Sequence, residues 1–185
     1  MWLESYRPVR LFVAIDVNDA VRMLALSAAD ALRQAGIPGR FEPVEKLHVT
    51  VAFLGNVADQ TLDDVVRTFR ESSALRPFAL TFDRLGAYPN LRRPHVIWIG
   101  STQTYPAFTE CARRVRASFE SLGFRFEREA QPHVTICRPK GARNLELPDL
   151  VGIARLRVEG LVLYRSLPAG PTTRYEAIDR TLFPT

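Results

Sequence analysis

His48-Val-Thr-Val-Ala-Phe-Leu-Gly55 and His133-Val-Thr-Ile-Cys-Arg-Pro-Lys140 repeat one pattern: histidine, apolar, threonine, apolar. The chain holds three histidines, and two of them stand in this same tetrapeptide context, which chance does not readily produce. Side chains alternate across a strand, so His48 and Thr50 share one face while Val49, Val51 and Phe53 take the other. His133 and Thr135 share a face in the same way, against Val134 and Ile136. Each copy therefore presents an imidazole beside a hydroxyl from a strand whose opposite face is anchored in a core. Two such strands set next to each other make a cleft on which two imidazoles and two hydroxyls converge.

Outward from these stretches, strands and helices alternate. Arg10-Leu-Phe-Val-Ala-Ile-Asp16 reads as a first strand, apolar enough to be central in a sheet. Asn18 offers an N-cap to a helix in which Val21, Leu24, Ala25, Ala28 and Leu32 recur at helical spacing until Gly36 and Pro38 stop it. Leu47 to Leu54 alternates like a strand, and Leu62, Val65, Val66 and Phe69 predict a second helix from Asp59 to Ser72. Strands are expected at 78–85 and 95–100. A third helix starts near Pro106, capped by Thr104 or Tyr105, with Phe108, Cys111, Val115, Phe119 and Leu122 inward and Gly123 at its end. Beyond a strand at 133–137, Gly141 to Val151 reads as a loop or a short helix over 145–150. Two strands, 155–164 and 173–182, close the chain, joined by the turn residues Ser166-Leu-Pro-Ala-Gly-Pro171. The expected class is an α/β or α+β sandwich: residues 1–185 as a single domain built from two similar lobes.

Of the 185 residues, 46% are hydrophobic and 24% charged, enough to bury a core without disulfides or metals. There is no run of eighteen apolar residues, and Met1-Trp-Leu-Glu-Ser5 lacks the charged and then apolar regions of a signal peptide, so a cytoplasmic protein away from membranes is expected. Cys111 and Cys137 are far apart and form no CxxC pair, which leaves them as small apolar fillers. The net charge of +5 comes almost wholly from arginine, Lys46 and Lys140 being the only lysines, and suits a polyanionic partner such as RNA. An arginine-favouring genome gives the same excess, because the charges are scattered rather than gathered in one tract. Nothing in the sequence demands a partner subunit, and a monomer is expected.

Two imidazoles and two hydroxyls suit one reaction in particular. Attack of water on a phosphodiester needs a base for the water's proton and an acid for the leaving oxygen on the far side of phosphorus. Neutral and protonated imidazole supply both near pH 7. Thr50 and Thr135 can donate to the non-bridging oxygens, and Arg138 can neutralise charge in the transition state. This chemistry requires no metal and no cofactor.

Leu47-His-Val-Thr-Val-Ala-Phe-Leu-Gly55 and Pro132-His-Val-Thr-Ile-Cys-Arg138 resemble the paired HxTx motifs of the 2H phosphoesterase superfamily, and most closely its bacterial and archaeal RNA 2′,3′-cyclic phosphodiesterases, once called 2′-5′ RNA ligases. Arg10–Asp16, Leu85–Pro89, Val96–Gly100 and Leu161–Ser166 resemble the same family, so the likeness spans about 10–183. It implies two pseudo-symmetric lobes, each with an antiparallel sheet flanked by helices, facing each other across an active-site cleft. It implies His48 as proton donor to the leaving 3′-oxygen, His133 as proton acceptor, Thr50 and Thr135 on the phosphate, and a basic role for Arg138. The partners it implies are RNA ends or nucleotide 2′,3′-cyclic phosphates, opened to a 2′-phosphate, with reversible 2′-5′ ligation as a second activity. The late strand reads Tyr-Arg-Ser where an acidic residue often follows the tyrosine, and Lys140 to Pro148 matches nothing in the family.

The remaining candidates read as structural. His95 lacks the following threonine, Arg92 and Arg93 suit a solvated turn as well as an RNA backbone, and Phe41 and Tyr88 suit packing before base stacking. Competing functions keep the chemistry and change the substrate, to a 2′-5′ oligonucleotide or an ADP-ribose cyclic phosphate, or drop it for a non-catalytic module that binds RNA ends.

Overall fold

The structure is a computed structural model that describes residues 9–72, 75–127, 129–141, 143–170 and 172–184. The start Met1–Ser5 and Pro171 of the expected turn lie outside the described residues. In chain order come β1 (Val9–Asp16), α1 (Asp19–Gln34), β2 (Gly39–Phe41), β3 (His48–Val57), α2 (Leu62–Glu71), β4 (Phe78–Phe82), β5 (Arg84–Tyr88), β6 (Val96–Gly100), α3 (Pro106–Glu120), β7 (Val134–Pro139), β8 (Ala154–Val158), β9 (Gly160–Ala169) and β10 (Thr172–Leu182).

Two four-stranded halves make one antiparallel sheet. β10, β9, β1 and β3 lie side by side in one half, and β7, β6 and β5 in the other, with the short β2 also on β7. The halves meet through a single residue pair, Val49 opposite Val134, the apolar residue that follows each histidine. Each half repeats one unit: a strand (β1 or β6), a helix (α1 or α3), then the histidine strand (β3 or β7) returning antiparallel beside the first. The helices lock the joint that one strand pair would leave weak, because α3 of the second half packs against β3 and α1 of the first against β7 and β8.

β1 is apolar from Leu11 to Ile15 because it is flanked by β3 and β9 and covered on both faces. α1 begins where expected, with the Asn18 side chain accepting from the Val21 N–H at 3.0 Å, and it buries Val21, Leu24, Ala25, Ala28 and Leu32. A turn of 3₁₀ helix occupies 59–61, so regular α2 starts only at Leu62. Of the two expected caps, Tyr105 takes the N-cap position of α3 but makes no side-chain capping bond; its hydroxyl instead accepts from the Thr81 N–H at 2.9 Å. Pro106 at the helix start leaves one fewer N–H to satisfy there.

Two expected strands each divide. The 78–85 run splits at Asp83, whose carboxylate accepts from the N–H and hydroxyl of Thr102 at 2.8 and 2.7 Å, so β4 leaves the large sheet to pair with β8 while β5 pairs with β6. The 155–164 run splits at Glu159, and β9 begins at Gly160, where a Cβ would lie 2.1 Å from the Thr181 carbonyl oxygen. Conversely, most of the expected 166–171 turn continues β9 as far as Ala169. Gly141 to Val151 has neither helix nor strand among its described residues; its Asn144 and Leu145 N–H groups donate to the Arg92 and Leu91 carbonyls.

The core is continuous from Leu11 and Leu32 in one half to Phe108 and Phe119 in the other. Cys111 and Cys137 are buried, unbridged fillers, their thiols pushed up to about 12 and about 11 by burial. No helix among the described residues is long and apolar enough to cross a membrane.

Candidate active site

The Val49–Val134 pair acts as a local two-fold axis for the polar residues around it. Antiparallel pairing sets His48 on the same side of this pair as Thr135, and Thr50 on the same side as His133. All four side chains are half-buried and face one cleft. Thr50 borders both of its parts, with His48, Thr135 and Arg138 along one and His133 along the other. The first part holds about 480 Å³, within the range of small-ligand sites.

Both imidazoles are fixed in the same way. His48 Nδ1 lies 2.7 Å from the Lys46 carbonyl oxygen, and His133 Nδ1 lies 2.8 Å from the Gln131 carbonyl oxygen. A carbonyl has no proton to give, so Nδ1 must carry the hydrogen in each ring, and Nε2 is left to gain or lose the proton that titrates. His48 Nε2 is 3.1 Å from the Thr50 hydroxyl. Aromatic rings hold each imidazole: Phe12 and Tyr175 lie 4.9 and 5.5 Å from His48, and Tyr88 and Trp98 lie 5.0 and 6.2 Å from His133, centroid to centroid. Burial among these rings pushes both histidines below the ordinary imidazole value. The Lys46 and Gln131 carbonyls oppose the shift, while positive charge on His133 lowers His48 further and that of Arg138 lowers His133.

Arg138 reaches the cleft by a route that strict alternation forbids. Five residues after His133, it belongs on the opposite face of a regular strand. In β7, however, Trp98 pairs with Thr135 and Ile97 with Cys137, so Ile136 is an extra residue, and this bulge turns Arg138 back to the cleft face. The guanidinium is held there by Glu42, Nε to Oε1 at 2.9 Å. β3 behaves alike. Ala14 pairs with Thr50 and Val13 with Ala52, so Val51 is extra, and Phe53 is turned out of the core. The expectation that Phe53 faces the core is therefore wrong: its ring is 47% exposed, lines the cleft and carries the Arg10 guanidinium at 4.8 Å.

Sequence reasoning missed several residues of the cleft. Lys46 is buried two residues before His48; its ammonium donates to the Thr173 hydroxyl at 3.0 Å, lies 3.7 Å from Glu42 and sits over Tyr175 at 4.7 Å. Glu42, with a side chain 7% exposed, ties Lys46 and Arg138 together. Nothing in the local pattern marks these residues, because their partners come from β10 and β7. Of the residues set aside as structural, Tyr88 does line the cleft, its ring edge-on to His133 and its hydroxyl donating to Gln131 Oε1 at 2.9 Å. Phe41 packs against the core under Arg33, and Arg92, Arg93 and His95 are exposed near the β5–β6 hairpin.

Two imidazoles, each with Nε2 left to titrate, on a cleft that Thr50 and Thr135 line, and a tethered guanidinium beside them, can bind a phosphate and move protons to and from it. Comparison with known proteins gives the family. The LigT-like phosphoesterase family model matches residues 15–98 and again 99–175, one histidine motif in each match. The RNA 2′,3′-cyclic phosphodiesterase of Methanothermobacter thermautotrophicus is 32% identical over 173 residues, which cover 88% of this chain and 94% of that one. That of Archaeoglobus fulgidus is 35% identical over 145 residues, covering 77% and 79%. The crystal structure of E. coli LigT complexed with 3′-AMP matches with a TM-score of 0.81 and 25% identity, over 96% of this chain and 99% of that chain. A family match in each half, over most of the sequence, assigns the protein: it is a two-lobed enzyme of the LigT-like phosphoesterase family, within the 2H phosphoesterases.

Proposed function

We propose that this phosphoesterase opens 2′,3′-cyclic phosphates, on RNA ends or nucleotides, by acid–base catalysis between His133 and His48, without a metal. His133 Nε2 takes a proton from water as the water oxygen bonds to phosphorus. The P–O3′ bond breaks on the opposite side, and His48 Nε2 gives its proton to O3′. The products are a 2′-phosphate and a 3′-hydroxyl; solvent then restores the two imidazoles. Each role contributes roughly 10²–10⁴-fold in rate. Thr50 and Thr135 donate to the non-bridging oxygens, and Arg138 balances their growing charge. A 5′-hydroxyl in the place of water would give a 2′-5′ linkage by the same steps.

The observation that carries this reading is the matched pair of imidazoles, each held by its Nδ1 hydrogen bond with Nε2 left for proton transfer, on one cleft that Thr50 and Thr135 line. Charge supports the assignment of roles. The part of the cleft that holds His48, Thr135 and Arg138 is lined by Arg10, Arg40, Lys46 and Arg138 against Glu42, whereas the part that holds His133 is lined by Arg116 and Glu129. The ribose and the nucleotides before it lie on the O3′ side of phosphorus, opposite the attacking water, so the polyanion belongs on the more basic side, with the acid.

The test is product identification. With EDTA present, wild-type protein should convert 2′,3′-cyclic nucleotides and cyclic-ended RNA to 2′-phosphates, faster than it acts on 2′-5′ oligonucleotides or ADP-ribose cyclic phosphate. A 3′-phosphate product would overturn the scissile bond. Binding of RNA ends by folded protein with no turnover would overturn the enzyme reading for this substrate.

A further inference from the structure

Among the described residues, β3 and β7 pair in the sheet at Val49–Val134 alone. On the side of Thr50 and His133, β3 has no strand neighbour along this edge among the described residues, and the carbonyl of Val51, the bulge residue, takes a donor from a side chain: Arg116 Nε at 3.0 Å. Arg116 stands on α3, in the half of the molecule that carries His133. Its guanidinium shares the lining of one part of the cleft with Thr50 and His133 and lies 5.2 Å from the Phe126 ring. Planar, stiff and held at a bulge one residue from Thr50, it ties the strand of one half to the helix of the other.

We infer that Arg116 is a positioning residue that sets the spacing of the two histidine–threonine pairs. This inference rests on the acid–base reading above. Binding a phosphate needs the hydroxyls and cations of the cleft, but its in-line displacement needs both imidazoles at once, one from each half. Loosening the tie therefore acts on the chemical step more than on binding, since a displacement of about 1 Å can cost about 10²-fold in rate.

The experiment is a double-mutant cycle on hydrolysis of a 2′,3′-cyclic nucleotide, using Arg116→Met, His133→Ala and the pair. Arg116→Met should lower kcat by at least about tenfold while KM and the affinity for the 2′-phosphate product change less than about threefold. In the His133→Ala background, where the two imidazoles no longer act together, the same change should cost less than about twofold. Arg116→Lys, which keeps a cation and a donor, should recover part of kcat, and it enters the same cycle if Arg116→Met does not fold. Equal losses in both backgrounds would overturn the inference, as would a loss carried by KM and product affinity, which would make Arg116 a phosphate contact. If wild type hydrolyses no cyclic phosphate, it is the functional reading that fails; if wild type is active and Arg116→Met matches it, only this inference fails.

Discussion

At the scale of single residues, the site turns on how two ordinary imidazoles come to differ from imidazole in water. Ring packing by Phe12 and Tyr175 on one side and by Tyr88 and Trp98 on the other strips water from both and lowers their affinity for protons. The proposed mechanism requires His48 charged and His133 neutral in the free enzyme, so kcat/KM should be bell-shaped in pH, with both limbs below the ordinary imidazole pKa of about 6.5. The limbs describe the pair, since the charge of His133 acts on His48. A bound phosphate anion raises both rings again, so kcat should peak at higher pH than kcat/KM. The same shift has a consequence for folding. Below about 6.5 the unfolded chain protonates these histidines while the folded one resists, so the unfolded state binds more protons and stability falls as pH drops through this window. Denaturant midpoints should accordingly drop from pH 7 to pH 5, and the drop should shrink in His48→Ala or His133→Ala. An unchanged drop in both variants would mean that the two rings are not desolvated.

At the scale of elements, two bulges and one wedge of close packing aim the side chains. Alternation along 48–54 and 133–137 was enough to read both histidine–threonine pairs and the strands that carry them, because burial of Val49, Val51, Val134 and Ile136 imposes the pattern. Alternation fails where an extra residue enters, so Phe53 and Arg138 change faces without any local signal, and the two divided strands look continuous because Asp83 and Gly160 act through distant partners. Lys46, Glu42 and Arg116 were illegible for the same reason: their roles come from contacts between elements. Close packing is testable at Gly86. The Trp98 indole lies flat against it, and a Cβ would come within 2.3 Å of two indole carbons. Gly86→Ala should therefore displace the ring that backs His133, costing roughly 1–3 kcal/mol as overpacking in denaturant titration and lowering kcat alongside. Wild-type stability in this variant would show that Trp98 has room to move.

At the scale of the whole molecule, the repeat frames the proposed mechanism. Each half supplies one imidazole, one hydroxyl and its own aromatic packing, and the shared core with crossed helices holds the two at a fixed separation. The halves differ where the reaction needs a direction: four cations line the part of the cleft that holds His48, and Arg116 and Glu129 line the part that holds His133. In the proposed mechanism, a symmetric frame with an asymmetric charge lining lets two nearly identical motifs take opposite roles. That division of labour is tested most directly by replacing the 3′-oxygen of the cyclic phosphate with sulfur, which leaves as a thiolate and needs no acid. His48→Ala, at least about 10²-fold slower than wild type on the oxygen substrate, should regain most of its rate on the sulfur substrate, and His133→Ala should not. Recovery by His133→Ala alone would reverse the roles, and recovery by neither would contradict acid–base catalysis by this pair.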